Sequence, residues 1–265
     1  MKAVQITDPV AYHGEGPCWS LAWGGLRWVD MFAGDVLSLS STDGGVSRMG
    51  VGELVAAIRP RDDGTMVMAQ RRGFAIADTY LGDLWSVPDV RMNDGGCDPD
   101  GRFYCGSMGG PGEGALYRLN PDRTVDVVVT GVTVSNGLAW FGDRAYYVDT
   151  PTNRIDVFDY VAGSLVNRRP FVSVDSPDGL TVDALGNVWV ALWGGSAVHC
   201  YAPSGALVER VELPVSKVTA CTFGGPSLDR LYITTSRLES DAPLAGALFV
   251  VEPGVKGLPE FRYSG

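Results

Sequence analysis

The sequence predicts an all-β fold: a six-bladed β-propeller of four-stranded antiparallel blades around a central channel. Three observations lead there. First, one cadence repeats six times in the 265 residues: a turn rich in Gly, Asp and Asn, a strand that usually holds Tyr or Trp, a gap, and a second strand. The anchor strands are LRWVD (Leu26–Asp30), TMVMA (Thr65–Ala69), RFYCG (Arg102–Gly106), RAYYV (Arg144–Val148), NVWVA (Asn187–Ala191) and RLYIT (Arg230–Thr234). Second, their starts lie 39, 37, 42, 43 and 43 residues apart, the near-constant period of a radial array with one sheet per repeat. Third, long helical periodicity is absent, and the 35 Gly and 16 Pro are spread between short apolar runs, as many tight turns require.

Each unit can be filled in from its anchor. A further strand follows in five units: Asp35–Ser41, Ala115–Asn120, Ile155–Tyr160, Ala197–Pro203 and Ala247–Pro253. These read as third strands of the blades, one hairpin connection beyond the anchors. TVDVVVTG, SLVNRRPFV and ALVERVELP supply outer strands, and the turn signals STDGG, RDDG, DPDG, FGD, ALGN and PSGA fall between them. No linker or charge block interrupts the series, so residues 1–265 read as one propeller domain. The N-terminal AVQIT (Ala3–Thr7) is expected to join the last blade and close the ring, with the C-terminal GLPEFRYSG competing for that place.

Composition narrows the function. Twenty-one Lys and Arg against 31 Asp and Glu give a net charge of −10, which disfavours nucleic acid and anionic membranes as partners. An acidic balance also suits a protein that holds a cation, although a solvated acidic surface accounts for the charge by itself. The five Cys form no CxxC pair, and no apolar run is long enough to span a bilayer. The expectation is a reduced, soluble, cytoplasmic protein, with a monomer favoured. No GxSxG or HExxH occurs, and two His leave little for a serine-hydrolase or zincin route.

In a propeller the strand before each anchor is innermost and starts at the channel mouth. Reading back from the anchors places Glu15, Asn93, Asn136 and Asp178 at equivalent positions in four units, with Ala56 and Thr219 in the other two. Equivalent positions of a radial array face one axis, so Glu15, Asn136 and Asp178 form a candidate oxygen cluster. Such hard ligands suit one divalent cation with open positions: Ca²⁺, Mg²⁺, Mn²⁺, Zn²⁺ or Fe²⁺. The competing explanation is that Asn136-Gly137 and Asp178-Gly179 are ordinary turns. It fits Glu15 less well, since Glu is a poor turn residue.

The motifs GEGPCW (Gly14–Trp19), RMNDGGCDPDGRFYCGSM (Arg91–Met108), SNGLAW (Ser135–Trp140), PDGLTVDALGNVWVA (Pro177–Ala191) and TACTFGG (Thr219–Gly225) resemble the senescence marker protein-30/gluconolactonase family, which includes regucalcin. The resemblance implies a six-bladed propeller with a single divalent cation held by Glu15, Asn136 and Asp178. It implies hydrolysis of a sugar lactone, a small-molecule substrate, to the aldonic acid, with Arg91 and Asn93 contacting substrate. It further implies that the cation polarises the lactone carbonyl and that Asp178 takes the proton of the attacking water. The sequence departs from the family just after Met108. There GSMGGPGEGALY lacks the acidic residue that contacts sugar hydroxyls, which leaves Glu113 either as its substitute or as a solvated loop carboxylate. Phosphotriester or fluorophosphate hydrolysis on a similar propeller and a non-catalytic calcium-binding role are the alternatives. His13 and Trp193 are each read as channel lining or as ordinary structural residues, and His199 as structural.

Overall fold

The structure, a computed structural model, describes all 265 residues. Six four-stranded antiparallel sheets form the blades of a ring. Five are simple meanders whose first strand is innermost, and the anchor motifs are the second strands throughout. The inner strands are Gly14–Ser20, Val55–Pro60, Arg91–Cys97, Ser135–Phe141, Pro177–Val182 and Val218–Gly224. The expected third strands are observed, the last trimmed to Phe249–Val251.

The sixth blade has only three strands from its own repeat. Its fourth is the N-terminal Val4–Gln5, which pairs antiparallel with Phe249–Val251. The AVQIT segment therefore closes the ring and ties the two ends of the chain together, removing the open edge that an unclosed array would expose.

The C-terminal segment does something else. It crosses beneath the ring as a strap: Gly257 N–H donates to Leu228, Tyr263 N–H to Pro60 and Ser264 N–H to Gly101. Tyr263 is fully buried, and its hydroxyl donates to the Asn120 carbonyl at 2.7 Å. The hydrophobic core lies between neighbouring blades. Its largest cluster joins Val29 and Met31 of blade 1, Val55–Ile58 of blade 2 and Phe103 of blade 3, with Tyr263 of the strap packed among them.

One irregularity is common to all six inner strands. Each slips register against its partner near its start: between Glu15 and Cys18, Val55 and Ala57, Met92 and Gly95, Ser135 and Leu138, Pro177 and Leu180, and Val218 and Ala220. A bulge adds an unpaired residue and re-aims the side chains around it. Six bulges at one level form a ring; Asn93, Asn136 and Asp178 sit in it, with Glu15 at its edge.

Candidate metal and substrate site

The bulges settle what the glycines after Asn136 and Asp178 do. Both dipeptides lie inside strands, so they are not turns. A Cβ on Gly137 would meet Leu180 N at 2.6 Å and Asp178 O at 2.7 Å, and one on Gly179 would meet the Ala220 Cβ at 2.4 Å. Glycine is needed there because neighbouring inner strands approach each other closely at the channel. Asn136 and Asp178 are thereby drawn inward.

Glu15, Asn136 and Asp178 are 4, 5 and 4 % exposed. Asn136 donates through Nδ2 to Thr150 Oγ1 at 3.0 Å, and Thr150 in turn donates to the Pro177 carbonyl at 2.8 Å. That contact fixes the amide and leaves Asn136 Oδ1 with no protein partner. Asn136 Oδ1 and Asp178 Oδ1 are both buried without a hydrogen-bond partner. A buried acceptor left unpaired costs about 1–3 kcal/mol, more for a charge, so two of them side by side mark a place built to receive something electropositive. Nowhere do three His, Cys, Asp or Glu side chains converge as a metal cluster. A cation here would rely on two carboxylates, the amide oxygen and water, a donor set that fits a hard divalent ion.

The electrostatics agree. Burial raises the Glu15 pKa well above the usual carboxylate range, and the charges of Asp178 and Asp94 add to the rise. Burial and Asp94 do the same to Asp178, against a smaller opposing pull from the Asn136 amide. Asp94 itself is pushed up to about 6 by burial, with Arg59 opposing. This third carboxylate was not singled out from the sequence. Strand alternation puts adjacent residues on opposite faces, so Asn93 and Asp94 are not both expected to face the channel. The bulge between Met92 and Gly95 permits it.

Arg91 donates to Asn93 Oδ1 and to the Met92 carbonyl, both at 2.9 Å, and Asn93 Nδ2 donates to the Ser135 carbonyl at 2.8 Å. The two residues therefore form one unit beside Asn136. Burial lowers the Arg91 pKa to about 10, which leaves it charged at neutral pH. Glu113 is exposed, and its carboxylate accepts from Gly110 N–H at 3.0 Å within its own turn. His13 is buried, stacked on Phe32 with ring centroids 4.9 Å apart, and its Nε2 lies 3.8 Å from Glu15 Oε1. Burial, together with Arg91 and Lys217, pushes its pKa down to about 4 against the pull of Asp30. Trp193 packs edge-on to His13 at 5.9 Å. His199 lies away on the third strand of blade 5, bonded to Tyr201. At the sixth position, Thr219 is structural: its hydroxyl donates to the Gly14 carbonyl at 2.6 Å and so fixes the strand that carries Glu15.

Fold and site together define a six-bladed propeller with buried, unpaired oxygens gathered at its axis, and comparison with known proteins gives it a family. The SMP-30/Gluconolactonase/LRE-like region matches residues 13–237, and the chain belongs to that family. It is 35 % identical to regucalcin of Danio rerio, with 95 % of each chain covered. It is 33 % identical to the pentonolactonase XacC of Haloferax volcanii, over 99 % of this chain and 98 % of the relative. Among solved structures it superimposes on a calcium-binding protein, regucalcin, from Agrobacterium tumefaciens, with a TM-score of 0.90 at 26 % identity, covering 99 % of this chain and 97 % of that one. The five Cys are free and buried, in keeping with the absence of a disulfide framework, and no helix is long and apolar enough to cross a membrane.

Proposed function

We propose that the protein is a divalent-metal-dependent hydrolase that opens a sugar lactone to the corresponding hydroxy acid. The observation that carries this reading is the pair of unpartnered buried oxygens, Asn136 Oδ1 and Asp178 Oδ1, beside the buried carboxylate of Glu15. Kinship with proteins named as lactonases, among them the pentonolactonase and a 6-deoxy-6-sulfogluconolactonase of Pseudomonas putida at 33 % identity, supports the substrate class.

In this reading Glu15, Asn136 and Asp178 hold the cation. When bound, it supplies Lewis acidity toward a substrate oxygen. Asp178 serves as general base: it takes a proton from water as the water oxygen bonds to the carbonyl carbon. The carbonyl carbon–ring oxygen bond then breaks, the ring oxygen receives a proton, and the hydroxy acid ionises in solvent. Arg91 fixes a substrate oxygen, and Asn93 holds Arg91 in place while lying at the substrate's edge. Glu113 joins the substrate contacts only by leaving Gly110, to which it is bonded.

A second reading, cation binding without turnover, draws on the regucalcin structure described as a calcium-binding protein. One experiment separates the two. Proton release is followed from a panel of aldonolactones with metal-stripped protein, adding Ca²⁺, Mg²⁺, Mn²⁺, Zn²⁺ or Fe²⁺ singly. Cation-dependent turnover that Asp178→Asn abolishes without unfolding the protein supports the hydrolase. Stoichiometric cation binding with no turnover of any lactone sinks it in favour of the binding role.

A further inference from the structure

The mouth of the channel offers substrate a continuous arc of cations and planar rings. The Arg91 guanidinium lies 5.1 Å from the centre of the Phe32 ring, Phe32 stacks on His13, His13 meets Trp193, and Lys217 Nζ lies 4.8 Å over Trp193. The rings hold the two cations in place and apart. Neither cation is neutralised by a buried carboxylate at contact distance. Arg91 forms no salt bridge, and Lys217 reaches only Glu239 Oε2, at 3.3 Å, on a side chain that is 84 % exposed. An ion pair with so exposed a partner is weak and readily exchanged.

His13 adds a third donor. Its Nδ1 lies 2.7 Å from Ser236 Oγ, which already accepts from Leu238 N–H at 3.0 Å. With the Ser236 hydroxyl donating to Nδ1, its own O–H finds an acceptor, and the ring proton is left on Nε2. No hydrogen bond engages Nε2, which faces the Glu15 side of the channel.

Apart from the oxygens of Glu15, Asn136 and Asp178, which the hydrolase reading assigns to the cation, the acceptors beside this arc are already used. Asn93 Oδ1 takes Arg91, Thr150 Oγ1 takes Asn136, Ser236 Oγ takes Leu238, and Glu113 takes Gly110. The surplus of donors selects a ligand rich in acceptors. Hydroxyl groups, which also need somewhere to donate, are poorly matched; an oxyanion is well matched.

We propose that Arg91, His13 and Lys217 form a subsite for an oxyanion, so that the preferred lactone carries a carboxylate, sulfonate or phosphate substituent besides its ring carbonyl. The proposal rests on the hydrolase reading above and names its substrate class. Two six-carbon lactones test it, one ending in a hydroxymethyl group and the other in a carboxylate. Wild-type kcat/KM is expected to favour the carboxylate form by at least about tenfold. Lys217→Met should bring the ratio close to one, and Lys217→Arg should keep most of it. Equal or better turnover of the neutral lactone, or a ratio that Lys217→Met leaves alone, overturns the subsite while the hydrolase reading stands. Calorimetric titration of the same proteins, in Ca²⁺ or Mn²⁺ buffer, with the two product acids needs no turnover. Tighter, Lys217-dependent binding of the dicarboxylate with no hydrolysis of either lactone supports the subsite and sinks the hydrolase. Equal binding of both acids sinks the subsite.

Discussion

The two ends of the central channel are built from the same six strands and are finished in opposite ways. At the upper end Asn136 and Asp178 keep buried oxygens without partners, and Glu15 stands beside them. At the lower end the C-terminal strap covers the opening. Its Glu260 lies 3.5 Å from Arg59, accepts from Thr222 at 3.2 Å, and leaves beneath it a cavity of only about 40 Å³. Burial works against the charge on Arg59, but Glu260 and the other anions around it raise its pKa overall. One end is closed over by the strap and its Arg59–Glu260 ion pair, although Arg59 Nε has no hydrogen-bond partner. The other is left unsatisfied at a cost in stability, which is the usual condition of a site awaiting a ligand.

The contrast can be broken most sharply at Asp178. Asp178→Asn is expected to lower lactone hydrolysis by about 10²–10⁴-fold in a proton-release assay. Glu260→Gln, at the other end, is expected to stay near the wild-type rate; a comparable loss from both would mean that the ends are not separate in function.

Stability should respond in the reverse pattern. Tyr263→Ala removes a fully buried ring from the strap and should cost about 3–5 kcal/mol in urea unfolding. Arg59→Met leaves Glu260 unpaired. Because the Glu260 side chain is 23 % exposed, the loss should be nearer 1–2 kcal/mol than the full cost of a buried ion, about 3–5 kcal/mol. The double variant Arg59→Met/Glu260→Gln should recover part of it.

Two smaller effects sharpen the comparison at the upper end. Glu15 and Asp178 have folded pKa values raised above their unfolded ones. The folded, metal-free protein therefore holds protons that the unfolded chain releases. That contribution to stability is complete below the unfolded value of about 4 and is lost as pH rises through the folded values. Calorimetry in chelator between pH 4.5 and 8 should show the melting temperature falling with pH from this source, and an added divalent cation should restore more at high pH than at low, because protons compete for the same oxygens. Smallest of all, Asp178→Asn in chelator at neutral pH should stabilise the protein by about 1 kcal/mol, roughly 2–4 °C in melting temperature. A destabilised variant would show that the Asp178 carboxylate is already well partnered.

Much of this was legible in the chain. The anchor motifs gave six blades because each repeat must bury its faces against its neighbours, which stamps one hydrophobic pattern on every unit. The shared phase of Glu15, Asn93, Asn136 and Asp178 was readable for the same reason, since a radial array converts equal positions into neighbours. Asp94 was not readable, because a bulge suspends the alternation from which strand faces are inferred. Nor was the strap: GLPEFRYSG carries no repeat, and only the burial of Tyr263 and the placement of Glu260 opposite Arg59 show that it seals the channel rather than closing the ring.

The sequence by itself determined the number of blades, the order of their strands and the common position of Glu15, Asn136 and Asp178 within their repeats, because these follow from periodicity along the chain. Tertiary structure alone decided which of those oxygens remain unpaired, and that Glu113 serves its own turn. It also decided that Arg91, His13 and Lys217, at positions 91, 13 and 217, share one rim. Hydrogen-bond satisfaction and desolvation depend on every group within a few ångströms, and around a closed ring those groups come from blades far apart in the chain.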